Sequence, residues 1–514
     1  MSAGVTVFRG VPFATAERFR PPQVVPLAEM PTADGPFGPP SLQLPDPLDH
    51  IWGERLAPGS EDCLTLNVWT PDINGKLPVL VWVHGGAFII GSGRWVWFDG
   101  GKLSAEQNVV VVTINYRLGA LGYLDVSDLG GPEYAESGNS GLLDQIAALE
   151  WVKANIHHFG GDANCVSVAG QSAGGISVSC LLACERAKGL FRRAIVMSGP
   201  PSLVRSREFA KVITRRFLKA SGAYTIDDLL RLSPAQVLSA QLQTLKMADF
   251  VGEQAFGPVV GGSVLPIPPL HAIRAGSASG IDLLCGTTAD ELRMWSFYNP
   301  ILWWLPFGSL GKWVRSLGLN AGGLNAAYRT ARPELGLGTR VMAALGDAIF
   351  WMPTVRLAEA RRDAHVYLVW WAGVPKLGAQ HAVDSTLVFG TVRASGASHF
   401  VGSPEEAERM SQAMRATWAA FVRTGDPSCE AVPNWPRYGQ ERNTAVLDRV
   451  CKVQADPLPA VRTAWDALPF DGTRPSPQQL PRIADVIKYL GVRAAAVLLV
   501  VALLFVLAVW LFTR

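Results

Sequence analysis

The sequence predicts an α/β protein with a large, mostly parallel central sheet and helices on both faces. Three observations carry this. Runs at residues 77–83, 109–114 and 166–169 have the length and apolarity of buried strands. Between such runs lie stretches of helical length, 142–155 among them, and strands alternating with helices favour parallel pairing. The third run ends abruptly in Gly170-Gln171-Ser172-Ala173-Gly174, followed by the small-residue helical stretch 175–183. A strand, a sharp turn and a helix meeting at G-x-S-x-G lift the serine hydroxyl clear of the sheet.

In chain order, residues 31–58 are rich in proline and glycine with little periodicity, the composition of a long surface loop. The strand at 77–83 ends at His84-Gly85-Gly86-Ala87-Phe88, and that at 109–114 ends at Asn115-Tyr116-Arg117. After Met197-Ser198-Gly199 the pattern turns helical from 207 to 247, and further strands are expected at 283–285 and 366–370. The start has no charged stretch leading into an apolar one, so no secretory signal is expected. The run Ala494 to Phe512 is apolar over 19 residues, about 28 Å as a helix and close to the hydrocarbon thickness of a bilayer. Its length, terminal position and lack of a polar face favour a transmembrane anchor over a buried core helix. Arg482, Lys488 and Arg493 precede it and only Arg514 follows, which puts the large domain on the cytoplasmic side. The expected organisation is a main domain over 1–467, a Pro-rich linker over 468–485 and a membrane anchor over 486–514.

A formal net charge of +3, with no long run of Lys or Arg, lacks the footprint of a nucleic-acid binder and points to small uncharged partners. Seven cysteines, at 63, 165, 180, 184, 285, 429 and 451, are odd in number and widely spread, so most are expected to be buried thiols. No metal-ligand spacing, phosphate-binding loop or dinucleotide fingerprint is present, and no cofactor is expected.

The block Gly138-Asn139-Ser140-Gly141-Leu142-Leu143-Asp144-Gln145, then Trp151-Val152 and Phe159-Gly160-Gly161-Asp162, leads straight into the G-x-S-x-G turn. It resembles the type B carboxylesterase family, which includes cholinesterases and many bacterial esterases. The resemblance runs from about residue 5 to 467, through Val5 to Ala14, Arg18 to Pro22, Glu61 to Val68, Gly425-Asp426-Pro427 and Trp435 to Tyr438. It implies an α/β-hydrolase fold and a serine esterase that cleaves small to medium apolar carboxylic esters through an acyl-enzyme. A lipase acting on longer chains is the nearer alternative. A non-catalytic, membrane-tethered binding protein on the same fold is the more distant one. Relatives usually carry a strand before this point, so either that strand is lacking or the start lies upstream. Relatives also pair the cysteine of E-D-C-L with one upstream; none precedes Cys63, which fits a reducing compartment. Trp52 lies near the position of a cation-stacking tryptophan in cholinesterases, although packing under the loop is the favoured role.

The resemblance also implies a site. Ser172 is the expected nucleophile. Within Gly286-Thr287-Thr288-Ala289-Asp290-Glu291 the family's acid corresponds to Glu291, but Leu292 replaces the usual glycine and Asp290 stays a competitor. His381, in Leu377-Gly378-Ala379-Gln380-His381-Ala382-Val383-Asp384, is the expected base, with Ala382 in place of glycine; His157 and His158 suit a solvated helix end. Backbone N–H groups of Gly86, Ala87 and Ala173 would bind the oxyanion, and Ser198 matches a serine that supports the triad. Phe88, Gln171, Trp295 and Trp303 are candidates for the substrate pocket. Gln171 stands where cholinesterases carry glutamate, which disfavours choline esters. The aromatic stretch Trp295, Phe297, Tyr298, Trp303, Trp304, Phe307 and Trp313 is open to three roles: a pocket wall, a lip toward the membrane, or plain packing.

Overall fold

The computed structural model of the chain describes residues 4–45, 53, 56–247, 254–294 and 321–467. Ten strands form one sheet: β1 (Thr6–Pro12), β2 (Thr65–Thr70), β3 (Leu77–Val83), β4 (Val110–Ile114), β5 (Gly161–Gln171), β6 (Arg193–Met197), β7 (Asp282–Thr288), β8 (His365–Val369), β9 (Asn443–Leu447) and β10 (Lys452–Ala455). Their spatial order is β1-β2-β4-β3-β5-β6-β7-β8-β9-β10. Every pairing from β4 across to β9 is parallel. Antiparallel pairing is confined to the edges, where β1 joins β2, β2 joins β4 and β10 joins β9. The mostly parallel sheet expected from the apolar runs is therefore present.

The runs are apolar throughout because both faces are covered. Val79, Val81 and Val83 of β3 face one core while Leu80 and Trp82 face the other, the period of two that a strand imposes. The connections hold helices α1 (Gly101–Gln107), α2 (Ser140–Asn155), α3 (Ala173–Leu181), α4 (Leu337–Gly346), α5 (Met352–Ala360), α6 (Val383–Phe389) and α7 (Pro404–Thr424). Leu142 and Ile146 of α2, Ile176 of α3 and Val355 of α5 enter the first core; Leu103 of α1, Leu387 of α6 and Trp418 of α7 enter the second. α2 is buried on all sides from Ser140 to Leu149, which explains why its sequence carries no polar stripe.

Two buried contacts tie the loop after β4 to the loop after β3. Tyr116 stacks on His84 with ring centroids 4.4 Å apart, and its hydroxyl donates to the His84 carbonyl at 2.8 Å. Next in sequence, Arg117 makes a two-pronged pair with Asp144 of α2, 2.8 Å from Nε to Oδ2 and 2.7 Å from Nη2 to Oδ1. The same Oδ2 accepts the Arg117 backbone N–H at 2.9 Å. With side chains 4% and 0% exposed, neither ion has water to fall back on.

The seven cysteines are all free thiols, four of them buried, as expected. His157 and His158 are exposed on a short turn after α2. Trp52, the aromatic stretch from Trp295 to Trp313, the linker at 468–485 and the apolar run at 494–512 all lie outside the described residues. Among those described, one helical stretch, Leu337–Ala360, has the length and apolarity to cross a membrane; 72% of its most apolar window is buried inside the protein, as in a core helix.

Removing one member of the buried Arg117–Asp144 pair strands the other. Asp144→Ala is expected to lower the unfolding free energy by about 3–5 kcal/mol, measured by denaturant titration. A change below about 1 kcal/mol would show that the pair does not hold this loop.

Candidate active site

The carboxyl ends of five adjacent parallel strands converge on one place, where open α/β sheets present their ligand-binding crevices. β5 delivers Ser172. It sits at φ 57°, ψ −123° between the last residue of the strand and the first of α3, a backbone region that a residue with a Cβ occupies only when its surroundings enforce it. Its N–H donates to the Met197 carbonyl at 2.9 Å, and its carbonyl accepts the Ile176 N–H at 2.8 Å. From residue 166 to 182 every residue is buried except Ser172, which is half-buried. The glycine of the motif at 174 is needed because a Cβ there would lie 1.9 Å from the Val83 carbonyl oxygen.

β3 delivers the glycine-rich loop. Gly86, Ala87 and Phe88 follow one another with φ of 112°, 53° and 64°. That left-handed run turns Ala87 out to an exposed position and Phe88 inward. Among the described residues, neither the Gly86 nor the Ala87 N–H has a hydrogen-bond acceptor, and the Ala173 N–H opens helix α3 beside Ser172. The loop lies against the turn at Ser172, since a Cβ on Gly85 would come within 3.2 Å of Ser172 Cβ. Phe88 is fully buried and stacks edge-on against Tyr123 at 4.9 Å. Its ring is therefore packed beneath the loop, against Tyr123.

β6, β7 and β8 deliver the remaining groups. Glu291, 2% exposed, receives three donors: Ser198 Oγ at 2.6 Å and the Thr288 N–H at 2.9 Å on Oε1, and His381 Nδ1 on Oε2. A buried carboxylate requires such convergence. Asp290 is committed elsewhere: it pairs with Arg332 at 3.2 Å and accepts the Ala379 N–H at 3.1 Å. It thus ties down the chain two residues before His381. Ala382 sits at φ 69°, so the position the family fills with glycine keeps a glycine-like conformation. His381 Nε2 receives the Gln171 side-chain amide at 3.1 Å; among the described residues no hydrogen bond joins it to Ser172 Oγ. Trp295 and Trp303 lie outside the described residues.

Three features of the site carry no local sequence signal. A π-helical turn at Asp347–Trp351 joins α4 to α5 and sets the Phe350 ring 5.0 Å from that of His381. Asp347 in the same turn accepts a hydrogen bond from Tyr328, whose hydroxyl accepts the Trp465 indole N–H at 3.2 Å. Asp384, on α6, receives the Tyr367 hydroxyl at 3.4 Å. Burial, reinforced by the charge of Glu291, pushes both carboxyls from the ordinary 3.8 up to about 7. His84, buried under Tyr116, is lowered to about 4 by the same desolvation; its Nδ1 lies 2.8 Å from the Gly85 carbonyl of its own loop.

A carboxyl with a raised value in the folded state keeps its proton there while the unfolded chain releases it. Its stabilising contribution is full below about pH 4 and is lost as pH rises to about 7. Relative to Asp384→Asn, which cannot ionise, the wild-type protein is expected to lose unfolding free energy across that window, with the difference level above it. Denaturant titrations at a series of pH values check this, and a difference independent of pH would contradict it.

A sequence model of the carboxylesterase family matches residues 1–301 and 330–457. The chain is 36% identical over 486 residues to a para-nitrobenzyl esterase of Bacillus subtilis, covering 88% of this chain and 93% of that one. It is 32% identical over 499 residues to liver carboxylesterase of Sus scrofa, covering 85% and 84%. The crystal structure of a carboxylesterase from Geobacillus stearothermophilus superposes with a TM-score of 0.79 at 36% identity, covering 90% of this chain and 97% of that one. The fold is that of the α/β-hydrolases, and the chain belongs to the carboxylesterase family as a carboxylic ester hydrolase.

Proposed function

We propose that the protein hydrolyses small to medium apolar carboxylic esters through a Ser172-His381-Glu291 triad. The observation that carries this reading is the buried Glu291–His381 hydrogen bond lying beside a strained, partly exposed serine. Ser172 Oγ attacks the ester carbonyl while His381 Nε2 takes its proton. Glu291 holds the proton on Nδ1 and offsets the charge the ring acquires, and Ser198 steadies Glu291. The carbonyl oxygen, now an anion, is met by the N–H groups of Gly86, Ala87 and Ala173; the unpartnered state of the first two supports this role. The ring then gives its proton to the leaving alcohol, and water repeats the sequence on the acyl-enzyme. Gln171 in place of a carboxylate leaves no anion beside the nucleophile, which argues against quaternary ammonium esters.

The same reading takes in the ends of the chain's organisation: a catalytic unit over 1–467, a linker over 468–485 and a helix at 494–512 that anchors the enzyme with its catalytic unit facing the cytoplasm. The support is the uninterrupted apolar run and the excess of basic residues before it. Trp295 and Trp303, close after Glu291 in sequence, are proposed to wall the acyl pocket.

Hydrolysis of p-nitrophenyl esters from acetyl to palmitoyl tests the activity and its chain-length range. Ser172→Ala is expected to lower kcat by about 10⁴-fold or more, and Glu291→Gln by about 10⁴-fold, whereas Asp290→Asn is expected to cost stability more than turnover. A folded protein inactive on every ester would favour a binding protein, and activity confined to long chains would favour a lipase. For the anchor, protease added to intact cells is expected to spare the catalytic unit and to cleave it after lysis; cleavage in intact cells would overturn the orientation.

A further inference from the structure

His381 has two ring nitrogens and both are occupied. Nδ1 faces a carboxylate oxygen of Glu291, which can only accept while ionised, so Nδ1 carries the proton of a neutral ring. The single remaining acceptor is the Nε2 lone pair. It is filled by the amide N–H of Gln171 at 3.1 Å, and the tautomer and the amide orientation are mutually consistent in this arrangement.

Gln171 is held in that position. It is the last residue of β5, paired in register with Met197 of β6, and it is 4% exposed. Its side-chain oxygen lies over Gly85, where a Cβ would come within 3.1 Å of it. The amide therefore fills the space between the glycine-rich loop and the histidine. The ring does not depend on Gln171 for its orientation, because Glu291 fixes one edge and the Phe350 ring packs at 5.0 Å.

One lone pair cannot accept two hydrogens at once. When Ser172 Oγ bonds to an acyl carbon or a phosphorus, the Oγ–H bond breaks and its proton passes to Nε2. The Gln171 N–H must have left by then, since it would otherwise face a second N–H. We propose that Gln171 is a positioning residue that caps the base: its amide N–H occupies His381 Nε2 in the resting site and must release it before Ser172 reacts. The inference rests on the proposed roles of Ser172 and His381 and adds a ground-state interaction that restrains them.

The test isolates the first chemical step. p-Nitrophenyl diethyl phosphate reacts once per site: Oγ forms the bond to phosphorus, p-nitrophenolate leaves, and the proton goes to Nε2. Its burst gives a first-order rate and a half-saturating concentration separately. Gln171→Met and Gln171→Glu in the full-length chain both keep the bulk and remove the N–H donor; Gln171→Leu, which like Met brings no charge to the ring, takes the place of Met if Met disturbs folding. Loss of an ordinary hydrogen bond from the ground state is expected to raise the first-order rate about two- to twelvefold, with the half-saturating concentration unchanged. Unchanged rates in both variants would overturn the cap. So would a slower Met variant beside a faster Glu variant, since that pattern means the amide supports the charged ring. Ser172→Ala in the same assay separates the two levels: a burst that survives it sinks the triad itself, whereas its disappearance beside unaltered Gln171 variants sinks only the cap.

Discussion

The close approach of α3 to the end of β3 is the constraint on which the site depends. Backbone meets backbone there, with the position of a Cβ on Gly174 only 1.9 Å from the Val83 carbonyl oxygen. A side chain would force the helix away from the strand and relax the turn that presents Ser172. That turn is strained at one residue, and the strain persists because the Met197 carbonyl, the helix and the buried end of the strand leave no alternative path for the chain. The glycines flanking the serine thus follow from packing, before any chemistry is considered.

Around this point each neighbouring strand adds one group, and each group is held by something behind it. Tyr116 braces the loop after β3, and the Arg117–Asp144 pair holds the loop after β4 from which Tyr116 projects. Ser198 and Thr288 brace Glu291, and Asp290 braces the segment that carries His381. Adjacent acidic residues have divided their work here by environment. Asp290 faces a guanidinium and a backbone N–H, whereas Glu291 faces an imidazole and a hydroxyl, and this difference in contacts supports Glu291 as the acid of the proposed triad.

Much of this was legible beforehand because it is written in short-range patterns. Unbroken apolar runs marked strands covered on both faces, and G-x-S-x-G after such a run marked the turn at Ser172. What escaped is what depends on distant residues meeting. The π-helical turn that sets Phe350 against His381 has no local signature, since its extra residue is accommodated by packing. The chain Trp465, Tyr328, Asp347 links residues whose only common property is their final position. The inward turn of Phe88 was equally hidden, because three consecutive residues with positive φ set the side on which the loop presents its side chains, and composition does not encode a conformation of that kind.

The assembly of the site from separate strand ends bears on how the molecule acquires its chemistry. Gln171 and His381 are 210 residues apart along the chain, and Glu291 and His381 are 90 apart. Contacts of such separation incur loop-closure entropy before they return any stabilisation, so they form late in folding. No fragment that stops short of β8 holds more than part of the constellation, and a nascent chain carries Ser172 long before it carries His381. Under the proposed roles of Ser172 and His381, the reactive centre is complete only once β8 has joined the sheet and the segment carrying His381 has followed it.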